Sequence, residues 1–98
     1  MSFNATFRPE AEEDLLEAFH WYEEQNRGLG SEFFQSVEVC ISNIQSNPEA
    51  YPIIYKTIRR ALLRRFPFGI FYVVDKEVIT IIACFHFRRD PSHWQKRK

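Results

Sequence analysis

The densest group of side chains able to do chemistry follows the last apolar segment, at His86-Phe87-Arg88-Arg89-Asp90-Pro91. A histidine can exchange a proton near neutral pH, and an arginine can hold a phosphate or a carboxylate through two parallel hydrogen bonds. In an extended chain, alternation places the even-numbered residues of this group on one side and the odd-numbered residues on the other. A structural interpretation stays open beside the functional one: Asp90 pairs with a neighbouring arginine, Pro91 ends the strand, and His86 is a partly buried hydrogen-bonding residue.

A second cationic group, Arg59-Arg60-Ala61-Leu62-Leu63-Arg64-Arg65, lies in an extended segment. Strict alternation does not predict cations on both faces of a strand, so we expect a bulge or an edge strand there. A groove lined by Arg60, Arg64 and Arg89 could hold either RNA or an acidic peptide. A solvated cationic face with no ligand is the alternative.

The two halves of the chain carry opposite charge. Residues 1–50 contain two basic and ten acidic residues, whereas residues 51–98 contain eleven basic and three acidic residues. The formal net charge of zero therefore hides a difference of about −8 against +8. The basic half should attract an acidic partner, either nucleic acid or an acidic protein segment.

The sequence carries no pattern for several common chemistries. The glycines form no phosphate-binding loop, and the histidines and cysteines lack metal-ligand spacing, so we expect no cofactor and no metal. Cys40 and Cys84 each lie in an apolar run, which indicates reduced, buried packing residues. There is no signal peptide and no membrane-spanning run, so we expect a cytoplasmic protein without a membrane partner.

Helical spacing of apolar residues predicts two helices in the first half. Pro9 begins the first helix and Asn26-Arg27-Gly28 ends it. Ser31 is the expected N-cap of the second helix, and Asn47-Pro48 ends that helix. The apolar stripes consist of Ala11, Leu15, Ala18, Phe19 and Tyr22, and of Phe33, Val37, Cys40, Ile41 and Ile44. We expect Leu15, Phe19, Val37 and Ile41 to be core residues.

Strand signals fill the rest of the chain. A period-2 pattern at residues 3–7 predicts a short first strand, and residues 53–65, 69–74 and 78–87 predict a three-stranded antiparallel meander. The last two segments are apolar at nearly every position, which indicates central strands covered on both faces. The order β-α-α-β-β-β predicts one α+β domain over residues 1–98, with two layers: a helical hairpin packed on a twisted, mostly antiparallel sheet.

Short motifs follow one another along nearly the whole chain. They are Arg8-Pro9-x-Ala11-x-x-Asp14-Leu15, Asn47-Pro48 with Tyr51-Pro52, Arg64-Arg65-Phe66-Pro67-Phe68-Gly69-Ile70-Phe71-Tyr72, and His86-Phe87-Arg88-Arg89-Asp90-Pro91 with Trp94. In their order and spacing they resemble the RelE/ParE superfamily of toxins from bacterial type II toxin–antitoxin systems. The R-R-F-P-F-G and H-F-R-R-D-P elements most resemble the ParE-like, plasmid-stabilisation branch.

The resemblance implies a growth-inhibiting toxin that a cognate acidic antitoxin neutralises, and contact with operator DNA only through the antitoxin complex. ParE-like members inhibit DNA gyrase, whereas RelE-like members act on the ribosome and cleave messenger RNA. A non-toxic antitoxin- and operator-binding module is a third interpretation. Homo-oligomerisation stays open, since no residue demands it.

RelE-like nucleases are similar in placing an arginine early in the third strand, an arginine at the end of the last strand, and often a C-terminal tyrosine or histidine. Arg89 matches the strand-end arginine, but Gly69 stands at the sheet position and no tyrosine follows Arg89. We therefore favour gyrase inhibition, with His86 and Arg89 as catalytic candidates only if the protein is an endoribonuclease. The expected antitoxin- or target-binding residues are Arg60, Arg64, Arg65, Arg88, Arg89 and Trp94.

Overall fold

The structure is a computed structural model in which residues 3–87 and 95–97 are described. The described elements, in chain order, are β1 (Asn4–Phe7), α1 (Pro9–Gln25), α2 (Leu29–Ser46), a 3₁₀ turn (Pro48–Ala50), β2 (Ile53–Tyr55), β3 (Ile58–Leu62), β4 (Phe68–Asp75) and β5 (Val78–His86). The predicted start of α1 at Pro9 and the end of α2 before Asn47-Pro48 are confirmed.

The two helices form a tight hairpin whose connection is shorter than expected. Helix α2 begins at Leu29, so Ser31 lies inside the helix and the prediction that it is the N-cap was wrong. The capping group comes instead from α1, where the Glu23 carboxylate accepts hydrogen bonds from the Gly28 and Gly30 N–H groups, each at 3.0 Å. A carboxylate suits this position because the first N–H groups of a helix lack partners within it.

The sheet has the strand order β1-β5-β4-β3-β2. Strand β1 runs parallel to β5, and each of the other neighbouring pairs is antiparallel. Helices α1 and α2 pack on one face of this sheet and contact β5, β4 and β3. The predicted α+β class, with a helical hairpin on a mostly antiparallel sheet, is confirmed.

The predicted single strand over residues 53–65 is wrong in detail, because this segment contains two strands. A turn at Lys56-Thr57 separates β2 from β3, and Lys56 adopts a positive φ of 52°. The β2–β3 pairing carries a bulge between Ile53 and Tyr55. Residues 63–67 then leave the strand as a loop, so the arginine-rich segment is only partly a strand.

Both faces of the sheet carry buried apolar side chains, as the unbroken apolar runs predicted. The helix-side face is the larger core, to which α2 contributes Phe33, Val37, Cys40 and Ile44. The second face, opposite the helices, is formed by Ile58, Phe71, Ile82, Ala83 and Phe85, with Ile54, Tyr55 and Val73 packed against them. A bulge in β5 opposite Phe71 and Tyr72 places the consecutive residues Ile82 and Ala83 on this same face.

The predicted core residues differ in depth. Val37 is buried, whereas Leu15 and Ile41 are half-buried at the edge of the helix-side core. Phe19 is also half-buried: it stacks against Phe34 at the crossing of the helices, with ring centroids 4.7 Å apart.

Candidate binding surfaces

The four arginines of the second cationic group point in different directions. Arg59 lies on the helix side, where its guanidinium donates to the carbonyl groups of Tyr51 and Glu49. Arg65 pairs with Glu32 on α2 at 2.7 Å in an exposed salt bridge. Arg59 therefore links β3 to the 3₁₀ turn, and Arg65 links the β3–β4 loop to helix α2.

Arg60 lies on the second face. It is opposite Phe71 in the β3–β4 register, and residues paired in this way share one face. Its side chain crosses β4 at Gly69: a Cβ atom added to Gly69 would lie 3.0 Å from Arg60 Cγ and 3.1 Å from Arg60 Cδ. The Nε atom of Arg60 is buried and has no hydrogen-bond partner among the described residues.

Arg60, Leu62 and Arg64 form a surface that we call the basic strip. Leu62 follows Arg60 on the same face of β3 and is 51% exposed, and Arg64 follows in the exposed loop. Leu62 and Arg64 also line a groove of about 630 Å³ between α2 and the β3–β4 loop. The other residues lining this groove are Glu32, Gln35, Ser36, Val39, Cys40, Asn43, Tyr51 and Arg65.

His86, the histidine of the strand-end group, lies on the opposite side of the sheet from Arg60. It is paired with Phe68, a helix-side residue, and the two rings meet edge-on with centroids 5.5 Å apart. It lines a cleft of about 520 Å³ between α1 and the ends of β4 and β5. This terminal cleft is lined by Asp14, Glu17, Ala18, Trp21, Tyr22, Pro67, Phe68, Cys84, Phe85 and His86.

Asp14 ties the C-terminal segment to the sheet edge. Strand β1 pairs with β5 only as far as Ile81, so within residues 3–87 and 95–97 the following β5 backbone has no strand neighbour on that side. The Asp14 carboxylate accepts the Cys84 N–H at 3.0 Å and binds the Arg97 guanidinium at 2.6 Å. Arg97 also donates to the Ile82 carbonyl and lies over the Phe85 ring. These side chains therefore satisfy backbone groups that would otherwise form an open edge.

The sequence motif that contains Asp14 gave no indication of this role. Its partner is 83 positions away, and Arg97 falls in a polar tail without periodicity. Only the register of β1 against β5 determines that the β5 edge opens beside α1, and hence that a carboxylate at Asp14 is needed.

Burial changes the acidity of several helix-side groups. Desolvation raises the pKa of the Cys40 thiol to about 11 and, together with the nearby Asp14 carboxylate, raises the pKa of the Cys84 thiol further. Desolvation also raises the pKa of Tyr72 to about 12, and its hydroxyl donates to the Pro48 carbonyl. Both cysteines are free and buried, as predicted, so neither is an activated thiolate near neutral pH.

The predicted site residues are only partly assembled. Arg60 and Arg64 lie along the same strip, whereas Arg65 is paired with Glu32 and His86 faces the terminal cleft. Arg88, Arg89 and Trp94 lie outside the described residues. Within residues 3–87 and 95–97, no group of three or more His, Cys, Asp or Glu side chains could hold a metal ion. No helix in this part of the chain is long and apolar enough to span a bilayer.

Comparisons with known proteins agree on one class. The fold is similar to chains in a chromosomal ParDE toxin–antitoxin system from P. aeruginosa, with a TM-score of 0.77 and 17% identity over 87% of this chain and 96% of that chain. It is also similar to a chain in the RelBE2 toxin–antitoxin complex from Mycobacterium tuberculosis, with a TM-score of 0.58 and 14% identity over 88% of this chain and 99% of that chain. No curated protein sequence matches significantly.

A helical hairpin on one face of a five-stranded mixed sheet is thus the fold of the RelE/ParE toxin superfamily. The model of one family within it, the ParE toxin of the type II toxin–antitoxin system parDE, matches residues 5–91. This chain belongs to that ParE family and is a type II toxin.

Proposed function

We propose that this toxin stops growth by binding and inhibiting DNA gyrase, and that a cognate antitoxin neutralises it in the cytoplasm. Membership of the ParE family supports gyrase as the target, because inhibition of gyrase is the activity associated with ParE-like members. The geometry of the described residues adds an independent reason to favour binding over RNA cleavage.

That reason is the separation of His86 from Arg60 by the sheet. Cleavage of RNA needs a proton-transfer group and transition-state cations around one reacting phosphate. His86 lies on the helix side and Arg60 on the second face, so Arg60 does not supply the cation for His86 in such a set. The other catalytic candidate, Arg89, lies outside the described residues. Gly69, at the sheet position where RelE-like nucleases place an arginine, is covered by the Arg60 side chain. A binding surface requires no such catalytic set.

Induction of the toxin without its antitoxin in a test bacterium distinguishes the mechanisms. DNA synthesis, DNA breakage and messenger RNA integrity are followed in the same cells. We expect stalled replication and DNA breaks while messages stay intact, and purified toxin should inhibit supercoiling by gyrase. Early message cleavage would instead favour a ribosome-dependent endoribonuclease, and normal growth would favour a non-toxic antitoxin- and operator-binding module.

Neutralisation by an acidic antitoxin is supported by the charge of the second half of the chain. The basic strip presents two arginines, Arg60 and Arg64, that have no ion pair among the described residues, beside the exposed Leu62. An acidic segment with apolar side chains would satisfy both features of the strip. Operator DNA would then be contacted through the antitoxin complex.

Charge reversal of the strip tests this part of the proposal. Arg60→Glu with Arg64→Glu should weaken binding of the protein encoded beside the toxin gene by about tenfold or more, because opposite charges become like charges. The matched control is Arg8→Glu with Arg27→Glu, which changes the net charge equally at exposed positions in the acidic half. Equal affinities of the two double variants, measured by calorimetry, would contradict the placement of the antitoxin on the strip.

A further inference from the structure

Arg60 stands out among the half-buried arginines of the described residues. Arg59 donates to two backbone carbonyl groups and Arg97 binds Asp14. The Arg60 side chain, in contrast, has neither a hydrogen bond nor an ion pair within residues 3–87 and 95–97, and its Nε atom is buried. A half-buried guanidinium without an acceptor is unfavourable, so the terminal nitrogens of Arg60, which are not among the buried atoms, are expected to bind an acceptor from outside the chain.

We infer that Arg60 is the binding site for a single carboxylate of the antitoxin, which its guanidinium receives through its two terminal nitrogens. This inference rests on the proposed neutralisation by an antitoxin and identifies the contact by which the strip recognises it. A guanidinium presents these two N–H groups in a fixed planar arrangement that matches the two oxygens of a carboxylate.

Gly69 holds Arg60 in the geometry that this contact needs. Gly69 lies opposite Leu62 on β3 and Phe85 on β5, so its missing side chain leaves a gap in the second face. The Cγ and Cδ atoms of Arg60 fill this gap at distances that would be crowded by a Cβ atom at Gly69. The stem of Arg60 is therefore constrained before the partner arrives, which reduces the entropy lost on binding.

The surroundings of Arg60 favour a protein carboxylate over the phosphates of a nucleic acid. On the second face its neighbours on β3 and β4 are Ile58, Leu62, Gly69 and Phe71, and none of these is charged. Nucleic acids gain affinity from several phosphate contacts together, which a row of cations provides. Among the described residues, the apolar Leu62 separates Arg60 from Arg64, and an arginine with apolar neighbours suits an acidic side chain flanked by apolar residues.

Arg60→Lys is the most direct test, because it keeps the charge but removes Nε and the planar pair of donors. The probe is the full-length protein encoded by the reading frame beside the toxin gene, titrated calorimetrically into the full toxin chain. We expect its affinity to fall by about tenfold to a hundredfold, the usual effect of losing a hydrogen bond to a charged group. Arg27→Lys is the matched control at an exposed position outside the basic strip, and we expect a change of less than about twofold.

Gly69→Ala provides a second variant that leaves all arginines in place. The added methyl group should displace the Arg60 stem and lower affinity severalfold in the wild-type background, but should have little effect once Arg60 is already lysine.

Unchanged affinity in Arg60→Lys would overturn the assignment of Arg60 while leaving neutralisation intact. No complex with the wild-type toxin would overturn both. Weakened binding of a single-stranded RNA oligonucleotide, with unchanged antitoxin affinity, would identify a phosphate site instead.

Discussion

The two faces of the sheet are built for different tasks. On the helix side, the rings of Tyr22, Phe33, Phe66 and Phe68 meet one another with centroids about 5–6 Å apart, and the buried residues are all apolar. The second face has a smaller buried cluster that ends at Gly69, Arg60 and the exposed Leu62. The helix side completes its contacts within the chain, whereas the second face leaves the Arg60 side chain without a partner among the described residues.

This difference explains how a toxin of 98 residues can be both stable and ready to bind. A small domain buries a limited amount of surface, so it cannot leave many polar groups unsatisfied. Confining the unsatisfied donor to the rim of the second face limits that cost to one place. We therefore expect changes on the helix side to lower stability, and changes on the basic strip to lower affinity.

The largest effect on stability should come from Phe33→Ala. Phe33 is fully buried and contacts four aromatic rings, so its removal leaves a cavity in the helix-side core. The free energy of unfolding, measured in urea, should fall by about 3 to 5 kcal/mol. Leu16→Ala, at a position that is 52% exposed, is the control. A loss below about 1 kcal/mol for Phe33→Ala would show that the helix-side face is not the main core.

A smaller loss of unfolding free energy is expected for Asp14→Asn, which tests the contacts at the β5 edge beside α1. The substitution removes the charge that holds Arg97 and weakens acceptance of the Cys84 N–H, at a site where the Asp14 side chain is 13% exposed. We expect a loss of about 1 to 3 kcal/mol in unfolding free energy. Hydrogen exchange at the Cys84 amide should also accelerate. Glu13→Gln, at an exposed neighbouring position, should change neither the unfolding free energy nor the exchange of the Cys84 amide. If both variants gave the same unfolding free energy and exchange rate, a structural role for Asp14 would be contradicted.

These two regions differ in how far the sequence predicts them. The buried position of Phe33 follows from local spacing, because residues three and four apart share a helix face. Phe19 has the same spacing but is only half-buried, since it lies at the helix crossing next to Gly30. The contacts of Asp14 with Arg97 and of Arg60 with Gly69 depend on strand register, which local patterns do not specify. The one local signal was Gly69 itself, because a glycine inside a strand often marks a close approach of other atoms.

The acidity of Cys40 provides a smaller test of how closed the helix side is. Because burial raises its pKa from 9.0 to about 11, the folded state retains the thiol proton better than the unfolded state does. Retention of the proton contributes its full stability below pH 9.0, and this contribution is lost as pH rises toward about 11. The stability lost by pH 10 is about 1 kcal/mol. Cys40→Ser should therefore show a shallower decrease in stability between pH 8 and pH 10 than wild type or Ser42→Ala, with urea unfolding as the measurement. Identical slopes would mean that Cys40 is accessible to water.

The smallest effect on stability should come from Leu62→Ala on the basic strip. The contrast between the two faces of the sheet predicts that this change lowers affinity for the antitoxin instead. Leu62 is 51% exposed, so shortening it should lower the unfolding free energy by less than about 1 kcal/mol. If an antitoxin covers the strip, the same change removes apolar contact area and should weaken binding by about tenfold. Val78→Ala, at another partly exposed strand position away from the strip, should leave affinity unchanged. A greater loss in unfolding free energy than in binding free energy for Leu62→Ala would mean that the second face serves stability, as the helix side does.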